Sequence, residues 1–332
     1  MRKTIYITDC EGPVTRDDNA YEIADAFLRE GGRLFSLLSK FDDYLGDIEK
    51  VEGYRYGSTL RFILPFLKTA DVTDREIQGF SGQHITVMAG IRETLHAIDG
   101  LAPVYVVSTS YIHYIKEVCR YLGLNMANMF CTMVSFDDYA MNEDEKKVVM
   151  DYHEELLSLP PIAWDDDSKV SPDSQRTIDV LKEFFSDRLP SLPVYQWMKD
   201  VNPIGGTGKA EAILQISKQT GVPLGDVLYV GDSITDVDAF RLVKDGGGLS
   251  ISFNGNRYAV QSAEYIVVSE DTAVLRDMAT GFCKHGKDAI REGKASETTW
   301  IFKEGSCSIK DVIALSEKTR KEARGQAIGS LG

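Results

Sequence analysis

Two acidic turns, each closing an apolar run, carry the chemistry this chain can do. The first is Ile5-Tyr6-Ile7-Thr8-Asp9-Cys10-Glu11-Gly12 and the second is Val227-Leu228-Tyr229-Val230-Gly231-Asp232-Ser233-Ile234-Thr235-Asp236. Each reads as a buried parallel strand ending in carboxylates. Ligands of open α/β sheets bind at the carboxyl ends of strands, so two such strands side by side would gather four carboxylates at one crevice. Carboxylates that close repel one another and call for a cation or a shared proton. An all-oxygen donor set suits Mg²⁺, and Mg²⁺ suits phosphate chemistry.

Within that crevice Asp9 is the candidate nucleophile, because a carboxylate can attack phosphorus and form an aspartyl-phosphate. Glu11, two residues on, is placed to protonate a leaving oxygen and then to activate water. Ser108 ends a further apolar run, Val104-Tyr105-Val106-Val107. Its hydroxyl, with Thr109 and the nearby backbone N–H groups, can hold a phosphate oxygen. Lys209 follows Gly205-Gly206-Thr207-Gly208 and opens a helical stretch, where it can neutralise phosphate and keep Asp9 ionised. The spacing is not that of a P-loop, since Ala210 follows the lysine. Taken singly, each residue has a plainer reading. Asp9 can be a turn residue, Ser108 a helix N-cap, and Lys209 a surface lysine.

The elements that must position these residues follow from periodicity. Apolar runs predict strands at 5–8, 104–107, 129–136, 227–231, 249–253 and 265–268. Helical spacing predicts helices over 91–99, 112–122 with Gly123 as C-cap, 209–218 and 237–243. This alternation predicts a doubly wound, Rossmann-like parallel sheet. Residues 16–87 read as an all-helical insertion with capping boxes at Asn19/Glu22 and Thr73/Glu76. A second, mostly helical insertion spans 137–203, leaving 1–15, 88–136 and 204–332 as the core. The tail from Asp271 is expected to be mostly helical.

In order along the chain these signals are D-x-E-G, a serine after the second strand, a lysine, and V-G-D-S-x-T-D. The series resembles the four motifs of the haloacid dehalogenase (HAD) superfamily, and the stretches Ala89–Ile91 and Ser108–Tyr111 look most like its phosphoserine phosphatase branch. The resemblance covers about 3–15, 88–136 and 204–270. It implies Mg²⁺-dependent hydrolysis of a small phosphorylated metabolite. Asp9, the Glu11 carbonyl and Asp232 would hold the metal, with Asp236 in support. It also implies that segment 16–87 is a cap, while 137–203 falls where the family's second cap type belongs. One departure is Glu11, where most phosphatases of the family carry Asp. It leaves open a weakly catalytic phosphate sensor, or transfer to a small alcohol.

Composition excludes other classes. The 332-residue chain is 43% hydrophobic, enough for a sizeable core, and its net charge of −14 argues against nucleic acid or an anionic membrane as partner. No apolar run is long enough to span a bilayer, and five cysteines without C-x-x-C spacing point to a reducing cytoplasm. Cys10 to Arg16 has the C-x5-R spacing of cysteine phosphatases, but that route would leave Lys209, Asp232 and Asp236 without roles. Asp165-Asp166-Asp167 lacks EF-hand spacing. His113 follows the second motif closely, and Arg16, Arg55 and Arg61 lie in or beside the first insertion. Surface roles are the expectation for all four.

Overall fold

The computed structural model describes residues 3–165 and 168–331. Asp166 and Asp167 of the acidic run lie outside the described residues. Eight strands form one sheet: β1 (Ile5–Thr8), β2 (Val104–Tyr111), β3 (Met129–Thr132), β4 (Val227–Gly231), β5 (Leu249–Phe253), β6 (Tyr265–Val268), β7 (Gly293–Lys294) and β8 (Trp300–Lys303). Their order is β3-β2-β1-β4-β5-β6-β8-β7. The first six run parallel, as the doubly wound reading predicts. Every residue of β1, β4, β5 and β6 is buried, because helices cover both sheet faces.

Register delivers the two acidic turns to one place. β1 pairs with β4 so that Thr8 faces Val230, and the Asp9 N–H donates to the Val230 carbonyl at 2.8 Å. Asp9 and Asp232 therefore leave the sheet from adjacent strands. β2 flanks β1 on its other side, so the strand order reverses at β1, where a crevice opens.

Three local expectations are corrected, two strand ends and one helix cap. β2 continues through Ser108 to Tyr111 instead of stopping before the serine, and β3 ends at Thr132 rather than Phe136. The first insertion's opening helix, Asn19–Phe27, is capped by Asp18, which accepts from the Tyr21 N–H; the Asn19 side chain accepts from Ser81 instead. The tail carries the helices Ala273–His285 and Ile309–Arg324, but also β7 and β8. β8 runs antiparallel along β6. Trp300-Ile301-Phe302 thus continues the sheet instead of leaving a bare edge at β6. The Thr73/Glu76 capping box and the Gly123 C-cap form as expected.

The two insertions share one apolar interior. Phe35, Phe41, Phe62 and Phe66 of the first bury in the same cluster as Val149, Ile178, Leu181 and Phe184 of the second. The cluster is separate from those on the two sheet faces. Ion pairs reinforce the joint: Lys146 of the second meets Asp71 of the first at 2.6 Å, and Lys182 of the second meets Glu49 of the first at 2.5 Å. Among the described residues no helix is long and apolar enough to cross a membrane.

Candidate active site

Lys209 is the hub of the crevice. It sits in the first turn of the helix Thr207–Thr220, held by a glycine-rich entry whose Gly206 N–H bonds the Thr235 carbonyl at 2.9 Å. Its ammonium lies 2.5 Å from Asp9 Oδ2 and 2.7 Å from Asp236 Oδ1, with no exposed surface. Burial pulls the ammonium down, but Asp236 and Asp9 together hold it above its ordinary range. It is therefore a fixed positive charge beneath the crevice.

Asp236 is saturated. Besides Lys209, its Oδ1 accepts from the Tyr229 hydroxyl at 2.5 Å, and its Oδ2 accepts from the backbone N–H groups of Asp232 and Ser233, each at 2.9 Å. Burial opposes its charge, yet Lys209, Tyr229 and the backbone donors outweigh it and keep the carboxyl below the ordinary range. Asp236 thus shapes the turn that presents Asp232. The carboxylates of Asp9, Asp232 and Asp236 come within 4.8 Å of one another, and with Asp236 saturated a cation would turn to Asp9 and Asp232.

Asp9 and Glu11 both line a cavity of about 100 Å³ above this base. Burial pushes Asp9 up to about 7, against the pull of Lys209 and with help from Asp236 and Asp232. Glu11 is raised well above the carboxylate range, by burial first and then by Asp18. Its Oε1 accepts the Asn19 N–H at 2.8 Å, so the first turn of the insertion's opening helix orients it. Directly after Glu11, Gly12 adopts φ +102°, and a Cβ there would run into the Asp232 carboxylate, so this turn needs glycine.

Of the other expected residues, Thr109 lines the cavity and Ser108 does not. Ser108 is held inside β2, where its hydroxyl bonds Ser110 at 3.2 Å. Cys10 is fully buried, and burial followed by Glu11 and Asp9 drives its thiol far from the thiolate form, which removes the cysteine route. His113 pairs with Asp74 at 2.8 Å, away from the cavity, and Arg55 pairs with Glu211 on the surface. Further lining comes from the turn 232–235, from the first insertion, including Phe35, Asp43 and Tyr56, and from Arg320, Arg324 and Leu331 of the tail. No described residue of 137–203 lines it; the second insertion packs behind the first.

The sequence reading missed two residues of the site. Arg320 and Arg324 both bond Asp232 Oδ2 from the helix Ile309–Arg324, the second at 3.1 Å. One signal was present. The buried positions Val312, Ser316 and Arg320 recur every fourth residue, so an arginine continues a buried stripe.

No protein-family model matches the chain, and no curated protein does. Solved structures do match. A gene product of Archaeoglobus fulgidus is 26% identical over 100% of this chain and 99% of its own, with a TM-score of 0.86. A phosphoserine phosphatase, solved as an analogue of its phospho-aspartyl intermediate, is 18% identical over 84% of this chain and 99% of its own, with a TM-score of 0.52. A HAD family hydrolase from Salmonella enterica serovar Typhi is 9% identical, covering 79% of this chain and 66% of its own, with a TM-score of 0.50. The fold is therefore that of the haloacid dehalogenase superfamily, carried by a chain whose full length, insertions and tail included, has a counterpart in the archaeal protein.

Proposed function

We propose that the chain is a cytoplasmic phosphomonoester hydrolase working through an aspartyl-phosphate on Asp9. The observation that carries this reading is Asp9 at the floor of the cavity, braced by a Lys209 buried between it and Asp236. In the first half-reaction Asp9 attacks phosphorus, the bond from phosphorus to the leaving oxygen breaks, and Glu11 gives that oxygen its proton. Burial keeps Glu11 protonated and so able to donate. In the second, water attacks the acyl-phosphate, its proton passes to Glu11, and Asp9 leaves phosphorus. Thr109 and the backbone of the two turns would orient the phosphoryl oxygens. Lys209 holds Asp9 from beneath and lowers the cost of its charge, without reaching the substrate. The likeness to a phosphoserine phosphatase supports the same route.

The donor set fits a divalent cation. Asp9 and Asp232 supply carboxylate oxygens, the Glu11 carbonyl is the third protein ligand proposed, and among the described residues no histidine or cysteine joins the cluster. Held there, Mg²⁺ would offset the negative charge that phosphate brings to the carboxylates. The small cavity favours a small leaving group, and segments 16–87 and 137–203 would act as one cap over the core.

Hydrolysis of a generic aryl phosphate, with and without Mg²⁺, tests the reading. Activity should need Mg²⁺, survive Cys10→Ser and vanish in Asp9→Asn. The two guanidiniums on Asp232 favour a second reading, a phosphate-binding protein with little turnover. Tight binding of phosphate analogues without hydrolysis in the wild type would select it.

A further inference from the structure

The helix Ile309–Arg324 brings charge where a surface helix would bring solvent-facing side chains. Arg320 is 3% exposed. It donates to the Asp232 carboxylate, to the Asp232 carbonyl at 3.2 Å and to the Leu331 carbonyl at 3.4 Å. Arg324, one turn on, reaches the same carboxylate oxygen at 3.1 Å. Its other N–H groups go to the backbone carbonyls of Arg16 at 3.0 Å and Asp17 at 2.6 Å. Those carbonyls lie where the chain leaves the first acidic turn for the insertion. The returning segment pairs there too, the Arg16 N–H bonding the Thr86 carbonyl at 2.8 Å and the Thr86 N–H bonding Asp17 Oδ2 at 2.8 Å. One guanidinium thus ties together the second acidic turn, the linkers of the insertion and the tail.

Two guanidiniums share one carboxylate oxygen of Asp232, with Asp18 the next anion beside both. A divalent cation on Asp232 would stand close to both, in a buried place where solvent screens little. Either the cation binds more weakly, or the guanidiniums withdraw. Arg324 cannot withdraw without giving up its bonds to the linker carbonyls as well.

We propose that Arg320 and Arg324 set the metal affinity of the site: docking of the helix Ile309–Arg324 on Asp232 and cation uptake by Asp232 oppose each other, so cation loading loosens the helix and the linker at Arg16 and Asp17. The proposal rests on Asp232 being a metal ligand. Linkage makes the effect reciprocal. The factor by which the docked arginines weaken the cation is the factor by which the cation weakens docking. Both residues are positioning residues, since they act through Asp232.

Mn²⁺ titration by calorimetry, paired with hydrogen exchange across 309–324, tests this. Arg320→Gln and Arg324→Gln should each bind Mn²⁺ about 10-fold more tightly than the wild type, within the usual range of coupling between sites. Arg324→Lys should fall back toward wild-type affinity. Val312→Ala, which weakens docking without touching charge, should also tighten Mn²⁺ binding. In the wild type, saturating Mn²⁺ should speed exchange across 309–324. Unchanged or weaker Mn²⁺ binding in both glutamine variants, or exchange that does not rise with Mn²⁺, overturns the proposal. Asp232→Asn separates the two readings. If it loses Mn²⁺ while the arginine variants gain nothing, only the opposition is wrong. If it binds like the wild type, or none of the proteins binds Mn²⁺, the metal reading falls and the proposal falls with it.

Discussion

The two halves of the crevice are built differently. Around Lys209, the carboxylates of Asp9 and Asp236 are bonded by core residues alone, and Lys209 and Asp236 have no exposure. Around Asp232 and Glu11, the partners come from segments appended to the sheet: Asn19 of the first insertion, and Arg320 and Arg324 of the tail. The first half is a fixed charge arrangement that needs only the sheet. The second is completed by segments appended to the sheet, the insertions with an interior of their own. On the proposed mechanism, attack on phosphorus would belong to the first half, and proton transfer and cation control to the half that the appended segments complete.

The largest effect should come from the rigid half. Asp9→Asn should lower kcat on an aryl phosphate by about 10⁴-fold or more, as removal of a nucleophile does; a smaller loss would place the attacking group elsewhere. Glu11→Gln should cost about 10²–10³-fold in kcat. Its amide oxygen can still accept the Asn19 N–H, so the melting temperature should hardly move. If stability fell as far as activity, Glu11 would be a tether only. Lys209→Met reverses that balance, leaving two carboxylates buried without their cation and costing about 3–5 kcal/mol of stability, read in urea denaturation.

A subtler test uses proton linkage. Without metal, Asp9 sits near 7 in the fold against an ordinary 3.8, so the folded state binds its proton more tightly than the unfolded chain does. The stability this contributes is fully present below the unfolded value and is lost as pH rises through the folded one. The urea midpoint should therefore decline between those values, and the decline should be shallower in Asp9→Asn. An equal slope in both would remove Asp9 from the balance. The smallest effect is Cys10→Ser, which should keep turnover while losing about 1 kcal/mol through a buried hydroxyl.

How far the sequence could be read follows the same division. Asp9, Asp232 and Asp236 close continuous apolar runs, and Lys209 opens a helix behind a glycine cluster, so local pattern locates them and parallel pairing brings them together. Thr109 rather than Ser108 lines the cavity because β2 runs on to Tyr111, and strand length is decided by neighbours that a single segment does not show. The capping role fell to Asp18 instead of Asn19, a one-residue difference set by tertiary bonding to Ser81. Arg320 and Arg324 sit in a helix dense with Lys, Arg and Glu. Only the stripe through Val312 and Ser316 distinguishes the buried arginine from its solvated neighbours. That 16–87 and 137–203 share one interior was not legible either, since amphipathic helices declare an apolar face but not the partner that covers it.

That shared interior also restricts how the crevice can be reached. A lid on a single pair of linkers can swing wide, but the body above this sheet is joined to it by four chain crossings, near residues 15, 88, 136 and 204, with a fifth restraint where Leu331 packs against its cluster. A body held at so many points can rock through a small angle but cannot fold back. Substrate would then enter by a narrow slit, and turnover would be paced by how far that slit opens.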